Sequence, residues 1–105
     1  MKKELYSSEV NSVYLKVIIV EPILLSCIDE PSFSDICSYL QRVVSTTEVV
    51  VKEYLFYLIN NSFIKYKGIK KIYLICENGI DLLNAIYTQR KEKVVDYNDL
   101  VIKLE

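Results

Sequence analysis

Between Ser45 and Tyr87 three signals follow one another without a spare residue: a helix, a short basic hairpin and a second helix. Ser45, Thr46 and Thr47 offer an N-cap, and Val51, Leu55 and Leu58 then fall at i, i+4 and i+7, one apolar stripe of a helix. Asn60-Asn61-Ser62 ends it. Phe63 to Cys76 then reads as two strands around a glycine turn at Gly68. Glu77-Asn78-Gly79 breaks the strand pattern, and Ile80, Leu83, Ala85, Ile86 and Tyr87 begin another helical spacing. The hairpin carries Lys65, Lys67, Lys70 and Lys71, four lysines in seven residues with no acid among them.

The rest of the chain narrows what such a stretch can serve. At 105 residues the chain is expected to form one domain, and 51% hydrophobic residues with 26% charged make it globular rather than disordered. That apolar share is high for so small a body, which has much surface to cover, so a homodimer seam is expected. The net charge of −1 excludes a generally polycationic protein, so contact with nucleic acid must come from local clustering. The bland reading of the lysines is an edge hairpin protected against pairing with other sheets. No run of about 18 apolar residues occurs, so no membrane span is expected. Met1-Lys2-Lys3 is followed by Glu4 rather than by a signal-peptide core.

Catalytic and metal chemistry find little footing. Histidine is absent, and Cys27, Cys37 and Cys76 form no CxxC pair, so neither a zinc site nor any other metal or cofactor is expected. Buried thiols are the default for all three. A Cys27–Cys37 bridge would fit only a hyperthermophile's protein, a direction in which the Lys-, Ile-, Tyr- and Glu-rich usage leans. Gly68 and Gly79 are the only glycines, so no phosphate-cradling loop exists, and the nine tyrosines sit among aliphatics at core spacing. The expectation is therefore not an enzyme.

Flanking elements are harder to place. Val10, Val13, Tyr14, Val17 and Ile18 fit a helix over about 8–20, followed by a helix started or kinked at Pro22 and running to about Ile28. Tyr14 to Val20 is also rich in β-branched residues and fits a strand; the helix is preferred. After the Asp29–Ser32 turn, Ser32 or Ser34 caps a short helix from Asp35 to about Leu40 with Ile36, Tyr39 and Leu40 inward. Gln41 to Val44 is the expected turn, Val44 its apolar plug. The last helix runs to Lys91 or Lys93. In the tail 94–105, Asp96 or Asn98 caps a short helix carrying Leu100, Val101 and Leu104, or Asn98-Asp99 turns a hairpin.

The order helix, turn, short helix, tight turn, helix, hairpin, helix resembles the winged helix-turn-helix family, in particular small archaeal and archaeal-virus regulators. Its segments are Ile23–Pro31, Phe33–Leu40, Ser45–Leu58, Leu58–Ile64 and Tyr73–Leu83, with Ser62 where the family usually has a glycine. The resemblance implies an α+β, mainly α domain, dimeric, with its core over 23–87, an N-terminal extension 1–21, a C-terminal helix and a tail. It implies a sequence-specific double-stranded DNA-binding transcriptional regulator in the cytoplasm, or the host cytoplasm if viral. The recognition helix, about 46–59, would enter the major groove with Thr46, Thr47 and Lys52. The wing 65–71 would lay Lys65, Lys67, Lys70 and Lys71 on the backbone, Arg42 would meet a phosphate or simply pair with a surface acid, and Ile80, Leu83, Ile86 and Tyr87 would form the dimer seam. Glu48, Glu53 and the lack of arginine on that helix leave a second reading beside it: a winged-helix module that binds protein and barely touches DNA.

Overall fold

The computed structural model describes residues 12–92 and 96–104. It is an α+β body in which helices dominate. In chain order it comprises β1 (Val13–Lys16), α1 (Val17–Cys27), α2 (Phe33–Val43), α3 (Glu48–Asn60), β2 (Ile64–Lys67), β3 (Ile72–Ile75), α4 (Glu77–Glu92), a 3-10 turn (Tyr97–Asp99) and β4 (Val101–Leu104). β1 pairs antiparallel with β4, and β2 with β3, as two separate two-stranded sheets.

α1 is apolar almost all round, which is the pattern of a helix sunk in a core. Val17, Val20, Pro22, Ile23, Leu24 and Cys27 are all buried. Pro22 sits in its second turn, where the missing N–H removes one intrahelical bond but leaves the first turn intact. α2 begins with a capping box: the Asp35 N–H donates to Ser32 Oγ at 3.1 Å, and the Ser32 N–H donates to the Asp35 carboxylate at 3.1 Å. It buries Ile36, Cys37 and Leu40. α3 is capped by Thr47, whose hydroxyl oxygen accepts from the Val50 N–H at 3.3 Å, and it buries the expected stripe Val51, Leu55 and Leu58.

The structure departs from several sequence expectations. Residues 13–16 are a strand rather than a stretch of a helix over 8–20; residues 8–11 lie outside the described residues. The strand forms because β4 supplies a partner, with Val13 opposite Leu104 and Lys16 opposite Val101. The tail accordingly has neither a helix over Leu100–Leu104 nor a hairpin at Asn98-Asp99: Asp96 caps a single 3-10 turn and the chain then enters β4. Leu15, Val20 and Leu104 belong to the same core as Ile23, Leu40 and Leu58, so the core reaches beyond 23–87. α2 starts two residues earlier and ends three later than read, because Ser32 rather than Ser34 caps it and Gln41–Val43 remain helical.

Glycine roles are exchanged as well. The hairpin loop is closed by the Lys71 N–H donating to the Lys67 carbonyl at 2.7 Å, and the left-handed residue is Lys71, φ 57°, rather than Gly68. Gly79 lies inside α4 instead of ahead of it, buried against the strand that precedes the helix. A Cβ there would stand 2.3 Å from the Phe63 carbonyl oxygen and 2.8 Å from Ile75 Cγ1, so this glycine is required for room. Ser62 takes φ 64°, the conformation its glycine-like slot calls for.

Candidate nucleic-acid interface

α3 links the two groups of candidate residues. Thr47 and Lys52 lie on its N-terminal half, and the hairpin springs from its C-terminal end. There the Phe63 N–H donates to the Leu58 carbonyl at 3.0 Å and Ser62 turns the chain. At 1.5 Å per residue, the helix separates its two ends by about 20 Å.

Strand alternation sets the hairpin's two faces. Ile64 is buried, and Tyr73 and Ile75 pack against the core, so this face of the hairpin turns inward at its base; Tyr66 shares the face but is exposed nearer the tip. Lys65 and Lys67 take the opposite face, across from Leu74 and Ile72, and Lys70 and Lys71 occupy the loop. All four lysines are exposed. Two features brace the arm. Tyr66 and Tyr73 stand directly opposite one another with ring centroids 4.7 Å apart, and the Tyr73 N–H donates to the Pro31 carbonyl at 2.8 Å, tying β3 to the turn between α1 and α2.

The α2–α3 corner is less uniform. Thr47 is exposed, and its hydroxyl proton remains available for a donor contact while its oxygen caps the helix. Lys52 is exposed with its ammonium 5.6 Å from the centre of the Phe33 ring. Arg42 sits in the last turn of α2 rather than in a connecting turn, its guanidinium 5.9 Å from the Tyr39 ring, at the helix end where a cation suits the dipole. Thr46 is half-buried, and its hydroxyl oxygen is enclosed with no hydrogen-bond partner among the described residues, so that hydroxyl does not face outward. The outer side of α3 also carries exposed Val49 (67%) and Phe56 (59%), besides exposed Glu48 and Glu53.

On α4 the four proposed seam residues divide. Ile80 and Tyr87 are exposed, Leu83 is half-buried against the core, and Ile86 is buried in its own chain and has no surface to offer a partner.

One cluster had no local signal in the sequence. The Arg90 guanidinium donates to both Glu21 oxygens at 3.0 and 2.9 Å, the Tyr97 hydroxyl donates to the same carboxylate, and the guanidinium lies 4.5 Å from the Tyr97 ring centre. Burial and then the Glu21 contact push the Tyr97 hydroxyl pKa up, against the opposing charge of Arg90. The cluster ties α1, α4 and the 3-10 turn together across 69 and 76 positions of chain. It engages Arg90, which leaves the hairpin lysines as the denser cationic feature.

The three cysteines are free thiols. Burial, followed by the proximity of Cys76, pushes the Cys27 thiol up to about 12, so it stays neutral. Among the described residues no group of three or more His, Cys, Asp or Glu is placed to hold a metal ion, and no helix is long and apolar enough to cross a membrane. Comparison of the chain with family models, curated proteins and solved structures finds no match.

Proposed function

We propose that the chain is a sequence-specific double-stranded DNA-binding transcriptional regulator of the winged helix-turn-helix type, working as a homodimer in the cytoplasm. The observation that carries this reading is the braced hairpin directly after α3: every formal charge from Ile64 to Cys76 is positive, and all four lysines are exposed. α3 enters the major groove by its N-terminal half. Thr47 donates to a phosphate, Val49 offers methyl groups to a thymine methyl, and Lys52 meets a phosphate or a guanine edge. The hairpin lysines follow the backbone, and Arg42 adds a phosphate contact at the corner. The seam consists of Ile80, Leu83 and Tyr87, without Ile86; Leu83→Arg is then expected to sediment as a monomer.

Exposed Val49 and Phe56 favour a second reading, in which α3 docks on another protein, since exposed aromatics are the usual anchors of such contacts. Titration of a labelled random duplex by fluorescence anisotropy separates the two. The regulator binds, and its log affinity falls with log salt at a slope of about −3.6 per chain for four neutralised phosphates. The docking module shows no measurable duplex binding at low salt.

A further inference from the structure

The hairpin apex holds a side chain that folding leaves unexplained. Ile69 is 100% exposed, so its whole apolar surface stands in water. Its neighbours are cations: Lys67 behind it and Lys70 and Lys71 ahead, with no acid between Ile64 and Cys76. Nor is it carried on a slack loop. The Lys71 N–H closes onto the Lys67 carbonyl at 2.7 Å, Lys71 adopts φ 57°, and the Tyr66–Tyr73 ring pair stiffens the strands below.

A firm apolar tip collared by positive charge suits a surface that is anionic outside and apolar just beneath. Duplex DNA is one such surface: phosphates border the minor groove, and a base step between them accepts an apolar wedge. An anionic bilayer is another, but one isoleucine buries too little there, since even a single long acyl chain anchors a protein only marginally. A lone side chain is enough to open a single base step.

We infer, on the basis of the DNA-binding reading above, that Ile69 is an intercalating wedge. The lysines seat the loop on the two phosphate backbones, and Ile69 enters the minor groove between adjacent base pairs, unstacking them and kinking the duplex. Pyrimidine–purine steps unstack most easily, so the wedge adds a preference for a TA or CA step at the point where the loop lands.

The test is energy transfer between dyes at the two ends of a short duplex with one central TA step, titrated with the full-length chain. Bound wild type brings the ends together by a kink of some tens of degrees. Ile69→Ser, which removes no core contact, binds with the same salt slope but leaves the duplex straight, and Ile69→Leu restores the bend. A straight duplex under bound wild type, or an equal bend with Ile69→Ser, overturns the wedge while the DNA-binding reading stands. Failure of the wild type to bind any duplex at low salt removes that reading and the wedge with it. Vesicles of phosphatidylglycerol and phosphatidylcholine serve as the parallel probe: Ile69-dependent vesicle binding alongside a straight duplex assigns the tip to a membrane and overturns the inference.

Discussion

Replacing Gly79 by alanine sets two effects of opposite sign against each other. Helix propensity alone favours the substitution by about 1 kcal/mol, because alanine is the better helix former. Space opposes it. The new methyl would stand 2.3 Å from the Phe63 carbonyl oxygen, roughly an ångström inside ordinary contact, and 2.8 Å from Ile75 Cγ1. The carbonyl cannot swing aside freely, since it accepts the Cys76 N–H at 2.9 Å. Overpacking of this kind costs about 1–3 kcal/mol, and loss of the Cys76 hydrogen bond adds about 1. The expected balance is a destabilisation of about 2 kcal/mol, or a fall in Tm of roughly 8–16 °C for a domain of this size. Urea unfolding followed by far-UV circular dichroism measures it. The control is Ala85→Gly, also on α4 but exposed, where helix propensity is the main effect and a loss of about 1 kcal/mol is expected. If Gly79→Ala raises the midpoint by what Ala85→Gly lowers it, α4 does not abut Phe63 as described and the spatial argument for this glycine fails.

Ser62→Gly should stabilise the fold by about 0.5–1 kcal/mol, because φ 64° strains a side-chain-bearing residue and Ser62 is exposed; an unchanged or lowered urea midpoint contradicts this. Tyr97→Phe removes the hydroxyl that donates to Glu21 and should cost about 1–2 kcal/mol in the same assay, with no loss expected if the cluster is a surface accident. Stability should also fall at alkaline pH through Cys27. The unfolded thiol ionises near 9.0 and the folded one is held neutral up to about 12, so the unfolded state alone loses the proton in that window. One such proton lowers stability by about 1.4 kcal/mol per pH unit between those values, and Cys27→Ala should remove that share of the slope.

Legibility in the sequence followed the range of the forces involved. Val51, Leu55 and Leu58 declared their helix because three residues on one face suffice to mark it. The two strands of the hairpin were equally plain, their pairing being local. Tyr14–Val20 was not, since β-branched residues suit either a strand or a buried helix. Both occur: Val13–Lys16 is drawn into a strand by Val101–Leu104 at the far end of the chain, and the helix starts at the next residue. The glycines misled for a related reason. Gly68 sits where a turn wants a glycine, yet Lys71 makes the left-handed bend; Gly79 looks like a break, yet its demand is set by a carbonyl sixteen positions upstream. At the candidate interface, lysine clustering was readable directly. The enclosure of the Thr46 hydroxyl and the inward turn of Ile86 depend on tertiary packing that no local pattern reports.

The proposal that the hairpin lysines neutralise DNA phosphates is tested most directly by the salt dependence of duplex affinity in wild type and in Lys67→Gln/Lys70→Gln. Both residues are exposed, so the variant should keep its fold. Removing two phosphate contacts per chain should reduce the magnitude of the log–log slope by about 1.8, with weakened binding on every sequence. An unchanged slope with unchanged affinity would contradict it.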